Sequence, residues 1–169
     1  MSAYANPILL DKNLMGTSIE RVPFNGSVSE GFDELWQQLA LFSNPSSLPV
    51  QEISPHAGEL IPICTELETG SGPADILFVT PTGQIVLVET KLFRNPEARR
   101  TVVVQLLDYA HQLVSWDYQK LEFATAQRAK ADPKNFLLNR LHATCAAADE
   151  KVFYEGVERC LREGDFLLL

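Results

Sequence analysis

The stretch Gly72-Pro73-Ala74-Asp75-Ile76-Leu77-Phe78-Val79-Thr80-Pro81-Thr82-Gly83-Gln84-Ile85-Val86-Leu87-Val88-Glu89-Thr90-Lys91 decides the fold. Two runs rich in Ile, Leu, Val and Phe flank Pro81-Thr82-Gly83, a turn signal, so the pattern predicts strands over 74–80 and 84–92 joined as a hairpin. If those three residues are the loop, Thr80 faces Gln84, and pairing back along the ladder puts Asp75 opposite Glu89. Directly opposed side chains have Cβ atoms roughly 4.5–5.5 Å apart. Two carboxylates so placed repel unless one is protonated or a cation lies between them. Strand alternation brings Lys91 to the face of Glu89 and turns Thr90 to the other. An Asp-Glu-Lys cluster on a hairpin equally suits a cross-strand salt bridge on a solvated face. What favours a site is its position at the end of strands that are apolar on both faces, as strands inside a covered sheet are.

Upstream, 59–66 reads as a strand in which Pro62 suits an edge position. Ser29 could cap a helix over 30–42 with Phe32, Leu35, Trp36, Leu39 and Phe42 on one apolar stripe. Asn44-Pro45 stops it and 46–58 is loop-like. Pro7-Ile8-Leu9-Leu10 and Ile19-Glu20-Arg21-Val22 suggest one or two short strands. Downstream, Asn95-Pro96-Glu97 combines a cap, a proline suited to the first helical position and an acid at the positive helix end. The helix it starts should reach Ser115, with Val102, Val103, Leu106, Ala110 and Leu113 at helical spacing. Further helices are expected over 118–130, 135–148 and 150–162, ended by Gly164, and Phe166-Leu167-Leu168-Leu169 reads as a buried strand. Because the chain stops inside that apolar run, it is expected to be the N-terminal part of a longer protein, with 30–115 as its core.

The chain of 169 residues suits one domain, and 46% hydrophobic with 21% charged residues is ordinary globular composition. No apolar run approaches the length of a membrane helix, and the first residues lack the basic flank of a signal peptide. Cys64, Cys145 and Cys160 are odd in number and far apart, which speaks against a disulfide framework and for a reduced, cytoplasmic setting. The net charge of −8 counts against a large nucleic-acid surface. It is compatible with carboxylates that hold a divalent cation. Arg94, Arg99 and Arg100 form the basic cluster nearest the hairpin and suit phosphate binding as well as a solvated first helical turn. His56, His111 and His142 are isolated, Trp36 and Trp116 are expected in the core, and Tyr109 is read as core.

An acidic pair with a lysine fits phosphodiester hydrolysis. Mg²⁺ takes oxygen ligands, and a lysine beside the attacking water can orient it or take its proton. Gly72-Pro73-Ala74-Asp75, the hairpin and Val88-Glu89-Thr90-Lys91 together resemble the PD-(D/E)XK nuclease superfamily, which carries an acid on one strand and acid-x-Lys on the next. Glu34, within Phe32-Asp33-Glu34-Leu35-Trp36-Gln37-Gln38, is similar to the helical Glu of that superfamily, and Gln105-Leu106-Leu107-Asp108-Tyr109 to its Gln and Tyr. Residues 91–100 look like a bacterial subfamily of uncharacterised nuclease-like proteins, and Ala74 stands where the superfamily's name has Pro.

The resemblance implies an α/β fold, a restriction-endonuclease-like core with a mixed sheet of four or five strands flanked by helices. It implies that Asp75, Glu89 and the Thr90 carbonyl ligate Mg²⁺ or Mn²⁺, and that Lys91 orients or activates water. Glu34 would bind a second metal or a water on it, and Gln105 would support the lysine or the phosphate. The implied activity is a metal-dependent nuclease; DNA is the substrate expected ahead of RNA, a choice that the resemblance does not fix. The alternative is a catalytically silent nuclease-fold module that binds nucleic acid or protein, or the effector half of a larger regulated protein. A homodimer and a further C-terminal domain are the other partners left open, with no membrane.

Overall fold

The hairpin forms in the register its loop requires. In the computed structural model, which describes residues 7–19, 33–91 and 96–169 (the side chains of 96–99 excepted), the Thr80 amide donates to the Gln84 carbonyl at 2.9 Å and Gly83 to Thr80 at 2.9 Å. Strands β4 (Pro73–Val79) and β5 (Ile85–Val88) then pair from Val79↔Ile85 to Ile76↔Val88. The turn beyond them is clamped by glycine. Gly83 has φ +84°, and a Cβ on Gly156 would lie 1.8 Å from the Thr82 carbonyl oxygen, so turn and helix meet backbone to backbone.

Strand β3 (Ile61–Glu68) adds to β4 antiparallel, and β6 (Leu167–Leu168) adds to β5 parallel. The result is a mixed four-stranded sheet in the order β3-β4-β5-β6. As its proline suggested, β3 lies at an edge. Its outward carbonyls are occupied: Arg128 Nε donates to Thr65 O at 2.8 Å and Arg140 Nε to Pro62 O at 2.8 Å. These arginines belong to α4 (Tyr118–Arg128) and α5 (Phe136–Thr144).

Strand alternation sorts the core into two layers. Leu77, Val79, Ile85 and Leu87 face one way, into a cluster with residues of α3 (Pro96–Leu113), α4, α5 and α6 (Glu150–Glu163). Ile76, Phe78, Val86 and Val88 face the other, packed with Val50 of the short helix α2 (Val50–Ile53) and with Leu41 and Phe42 of α1 (Glu34–Ser43). The fold is therefore mixed α/β, a sheet with helices on both faces. A separate antiparallel pair, β1 (Ile8–Leu10) with β2 (Gly16–Ser18), lies apart with its residues exposed. No helix among the described residues is long and apolar enough to cross a membrane.

Several expectations need correction. The β5 strand stops at Val88: the Thr90 amide, which a continuing ladder would turn toward Ala74, goes to the Asp75 carboxylate instead, while Glu89 N–H extends the pairing on the other side with Leu169 O at 3.0 Å. Strand β3 starts later and runs further than 59–66. β2 is at Gly16–Ser18, ahead of the apolar patch that suggested it, whose residues 20–22 lie outside the described ones. Helix α1 starts at Glu34, capped by Asp33, whose carboxylate accepts from Trp36 N; Ser29 lies outside the described residues. Its apolar stripe does not form the core: Leu35 is 56% exposed and Leu39 48%, while Gln38 is the buried residue. Trp36 is likewise on the surface, whereas Trp116 packs against the core. Val103 on α3 is exposed, since Leu106, Tyr109 and Leu113 define the inward face.

Candidate functional site

The chemistry-bearing residues gather where the hairpin ladder ends. Extending the register by one pair beyond Ile76↔Val88 sets Asp75 opposite Glu89. By alternation both share the face of Leu77 and Leu87, the face that carries α3. Glu89 stands after the last strand residue, and Thr90 no longer alternates away from the site. Its amide donates to Asp75 Oδ2 at 2.6 Å and its hydroxyl to the same oxygen at 2.7 Å. This corrects the expectation that Thr90 points to the opposite face. A side-chain carboxylate has taken over a hydrogen bond that the ladder would have supplied.

Glu89 is the most enclosed charge in the molecule's site. Its side chain is 1% exposed, and Lys91 Nζ lies 3.1 Å from Oε1. The second oxygen, Oε2, is buried with no hydrogen-bond partner among the described residues. A buried, unsatisfied carboxylate oxygen is costly. Burial pushes the Glu89 carboxyl above the ordinary carboxylate range, Lys91 pulls it back, and Asp75 and then Glu34 push it up again. Burial works to lower Lys91, yet its bond to Glu89 and the charges of Glu89, Glu34 and Asp75 outweigh that, so its ammonium is held charged more firmly than usual.

Glu34, at the start of α1, reaches Lys91 with Oε2 4.0 Å from Nζ. It thus belongs to the cluster through the lysine. Gln105 lies on α3 with Nε2 3.5 Å from the Tyr109 hydroxyl, and its Oε1 is buried without a partner among the described residues. Tyr109 itself is buried, and burial followed by the charges of Glu89 and Asp75 raises its phenol. Of the basic cluster, Arg100 is exposed on α3, Arg94 lies outside the described residues, and the Arg99 side chain is not among those described. Among the described residues no group of three or more His, Cys, Asp or Glu residues could hold a metal ion.

One side-chain role and one residue of the site escaped the sequence. The Thr90 hydroxyl was assigned to the wrong face by a strand assumed to continue. Gln38 is buried beneath α1 and donates to both Glu66 Oε1 (2.6 Å) and the Asp75 carbonyl (2.7 Å). Its signal was present: it follows Glu34 by one helical turn and so shares its face. Comparison of the chain with family models, with curated proteins and with solved structures finds no match.

Proposed function

We propose that the chain is a divalent-metal-dependent nuclease that hydrolyses phosphodiester bonds, with DNA as its preferred substrate. The observation that carries this reading is the buried, unpartnered Glu89 Oε2 beside Asp75, with a firmly charged lysine on the other oxygen. Oxygen donors of this kind fit Mg²⁺ or Mn²⁺. Asp75 and Glu89 would hold the ion, with the Thr90 carbonyl beside them, and Glu34 lies at the margin of the same cluster. A divalent ion there would supply Lewis acidity toward a phosphoryl oxygen and toward the attacking water.

The chain's own groups then have distinct parts. Thr90 fixes the Asp75 carboxylate through two hydrogen bonds to one oxygen, Oδ2. Lys91, whose ammonium Glu89, Glu34 and Asp75 favour in the metal-free chain, would orient the attacking water and offset charge developing on phosphate. Gln105, whose amide oxygen lacks a partner among the described residues, would accept from a donor on the lysine or on a bound water. Arg100, with Arg94 and Arg99 near it in sequence, suits phosphate contact; against a net charge of −8 such local contacts carry the affinity.

The test is cleavage of plasmid, single-stranded DNA and RNA in Mg²⁺, Mn²⁺ or EDTA, beside Asp75→Ala and Lys91→Ala. Metal-dependent cleavage lost in both variants is expected. Cleavage that ignores EDTA or survives both substitutions would sink the enzyme reading, and binding without cleavage would favour the silent module.

A further inference from the structure

Gln38, on α1, is 2% exposed and faces two strands at the sheet's open end. A buried amide is tolerated when its hydrogens are bonded, and here one nitrogen serves two acceptors on two strands. One is the main-chain carbonyl of Asp75 on β4, at 2.7 Å. The other is the carboxylate of Glu66 on β3, at 2.6 Å. The β3–β4 register, Thr65↔Ile76 and Leu67↔Ala74, puts Glu66 opposite Asp75, which itself falls opposite Glu89. In a regular strand the three carboxylates would share one row on one face. Glu66 instead has φ +53°, in the left-handed region that a glutamate seldom adopts, and its carboxylate meets Gln38. One turn earlier on the same helix face, Glu34 reaches Lys91.

We infer that Gln38 is a positioning residue for the metal site: its amide holds the Asp75 peptide in place, and the same side chain holds α1, with Glu34 on it, against the strand. This rests on the nuclease reading above. The hydrogen bonds of Gln38 go to the Asp75 carbonyl and to Glu66, so it acts through the backbone of one metal-binding residue and through the helix that carries Glu34. Holding a carboxylate to within a fraction of an ångström is what separates a tight metal site from a loose one.

The experiment measures Mn²⁺ binding directly by calorimetry, and metal-dependent cleavage alongside it, in the full chain. The double variant Gln38→Met with Glu66→Leu removes the amide together with its carboxylate acceptor, so no buried charge is left unpaired and only the bond to the Asp75 carbonyl, the one under test, is lost. Its Mn²⁺ half-saturation is expected to rise about tenfold, by analogy with the loss of groups that orient a metal ligand. Glu66→Gln still offers an oxygen to the Gln38 amide and should stay within about twofold of wild type on the same scale. Gln38→Met alone repeats the measurement in a second background.

A purely structural role would lower the folded fraction, and so the binding amplitude, without moving half-saturation. Wild-type Mn²⁺ affinity in the cooperatively melting Gln38 variants overturns this inference while leaving the nuclease reading standing, and so does a large shift in Glu66→Gln. A wild-type protein that neither binds Mn²⁺ nor cleaves overturns the nuclease reading, and this inference with it.

Discussion

The two ends of the β4–β5 hairpin solve opposite problems with the same two strands. At the turn, Thr80 to Gln84 close a hydrogen-bonded loop, and Gly83 and Gly156 let the backbone of the turn touch the backbone of α6. At the other end the ladder stops early, and side chains replace main-chain bonds: Thr90 turns to the Asp75 carboxylate, and Glu89 keeps an oxygen unpartnered. The lesson is that the closed end supplies rigidity, and the open end carries an electrostatic debt that a cation would relieve. Sites of that second kind are where natural proteins forgo stability for function.

The sharpest test of that contrast is at the open end. Asp75→Ala should lower Mg²⁺-dependent cleavage by more than about a hundredfold, since even groups that only orient a metal ligand are worth about 10–100-fold. The variant should still melt cooperatively, because its neighbours in the apolar core are untouched. Retained activity would remove the open end from the chemistry.

At the closed end the expectation is reversed. Gly156→Ala places a methyl 1.8 Å from the Thr82 oxygen and forces turn and helix apart. Overpacking of this severity costs about 3 kcal/mol, or about 6–12 °C in Tm for a domain of this size. The folded fraction should keep its cleavage rate per molecule. An unchanged Tm would show that the contact yields easily.

Glu89→Gln tests the electrostatic debt itself. Removing a buried charge with an unpartnered oxygen should raise Tm in EDTA by about 2–4 °C, the equivalent of about 1 kcal/mol, while abolishing stabilisation by added metal. The pH dependence follows in sign. The Glu89 carboxyl is raised above its ordinary value of 4.5, so the folded chain binds that proton more readily than the unfolded chain. Its contribution is complete below the ordinary value and is lost as pH rises through the raised one. Metal-free wild type should therefore lose stability over that window, and Glu89→Gln should not show that loss. A fall in Tm for the variant would mean that the pair with Lys91 outweighs the burial.

The smallest effect is expected for Thr90→Val, which deletes one of two bonds to Asp75 Oδ2 while the amide keeps the other. About 1 kcal/mol or less should be lost, read by chemical denaturation. A larger loss would mean that the hydroxyl, and not the amide, fixes the carboxylate.

How much of this was legible depended on whether a residue answers to a local period. The pairing of Asp75 with Glu89 follows from counting residues across Pro81-Thr82-Gly83, because a ladder has a fixed repeat of two. The edge position of β3 was written in Pro62, which has no amide to donate. The reading failed on α1, where Leu35, Trp36 and Leu39 advertised a core face and Gln38 took it. Burial there is decided by acceptors on Glu66 and Asp75, more than twenty-five positions away in the chain, as the separations of 28 and 37 residues show. Thr90 was misplaced for a related reason. Alternation assumes that a strand continues, and this one ends where the Thr90 amide turns to the Asp75 carboxylate. The register that puts Asp75 opposite Glu89 was thus readable from sequence, and the supports that hold them were not.

The arginines on β3 have a consequence at the scale of many molecules. An outer strand is a template on which a second chain can grow a sheet, and unpaired main-chain groups are the invitation. Along β3 the carbonyls of Pro62 and Thr65 are already taken by Arg140 and Arg128, and Pro62 has no amide to offer. A strand arriving from a neighbour would have to evict two guanidinium groups and would meet positive charge as it did so. The side chains that tie helices to the sheet inside one molecule thereby act as a guard against sheet growth between molecules.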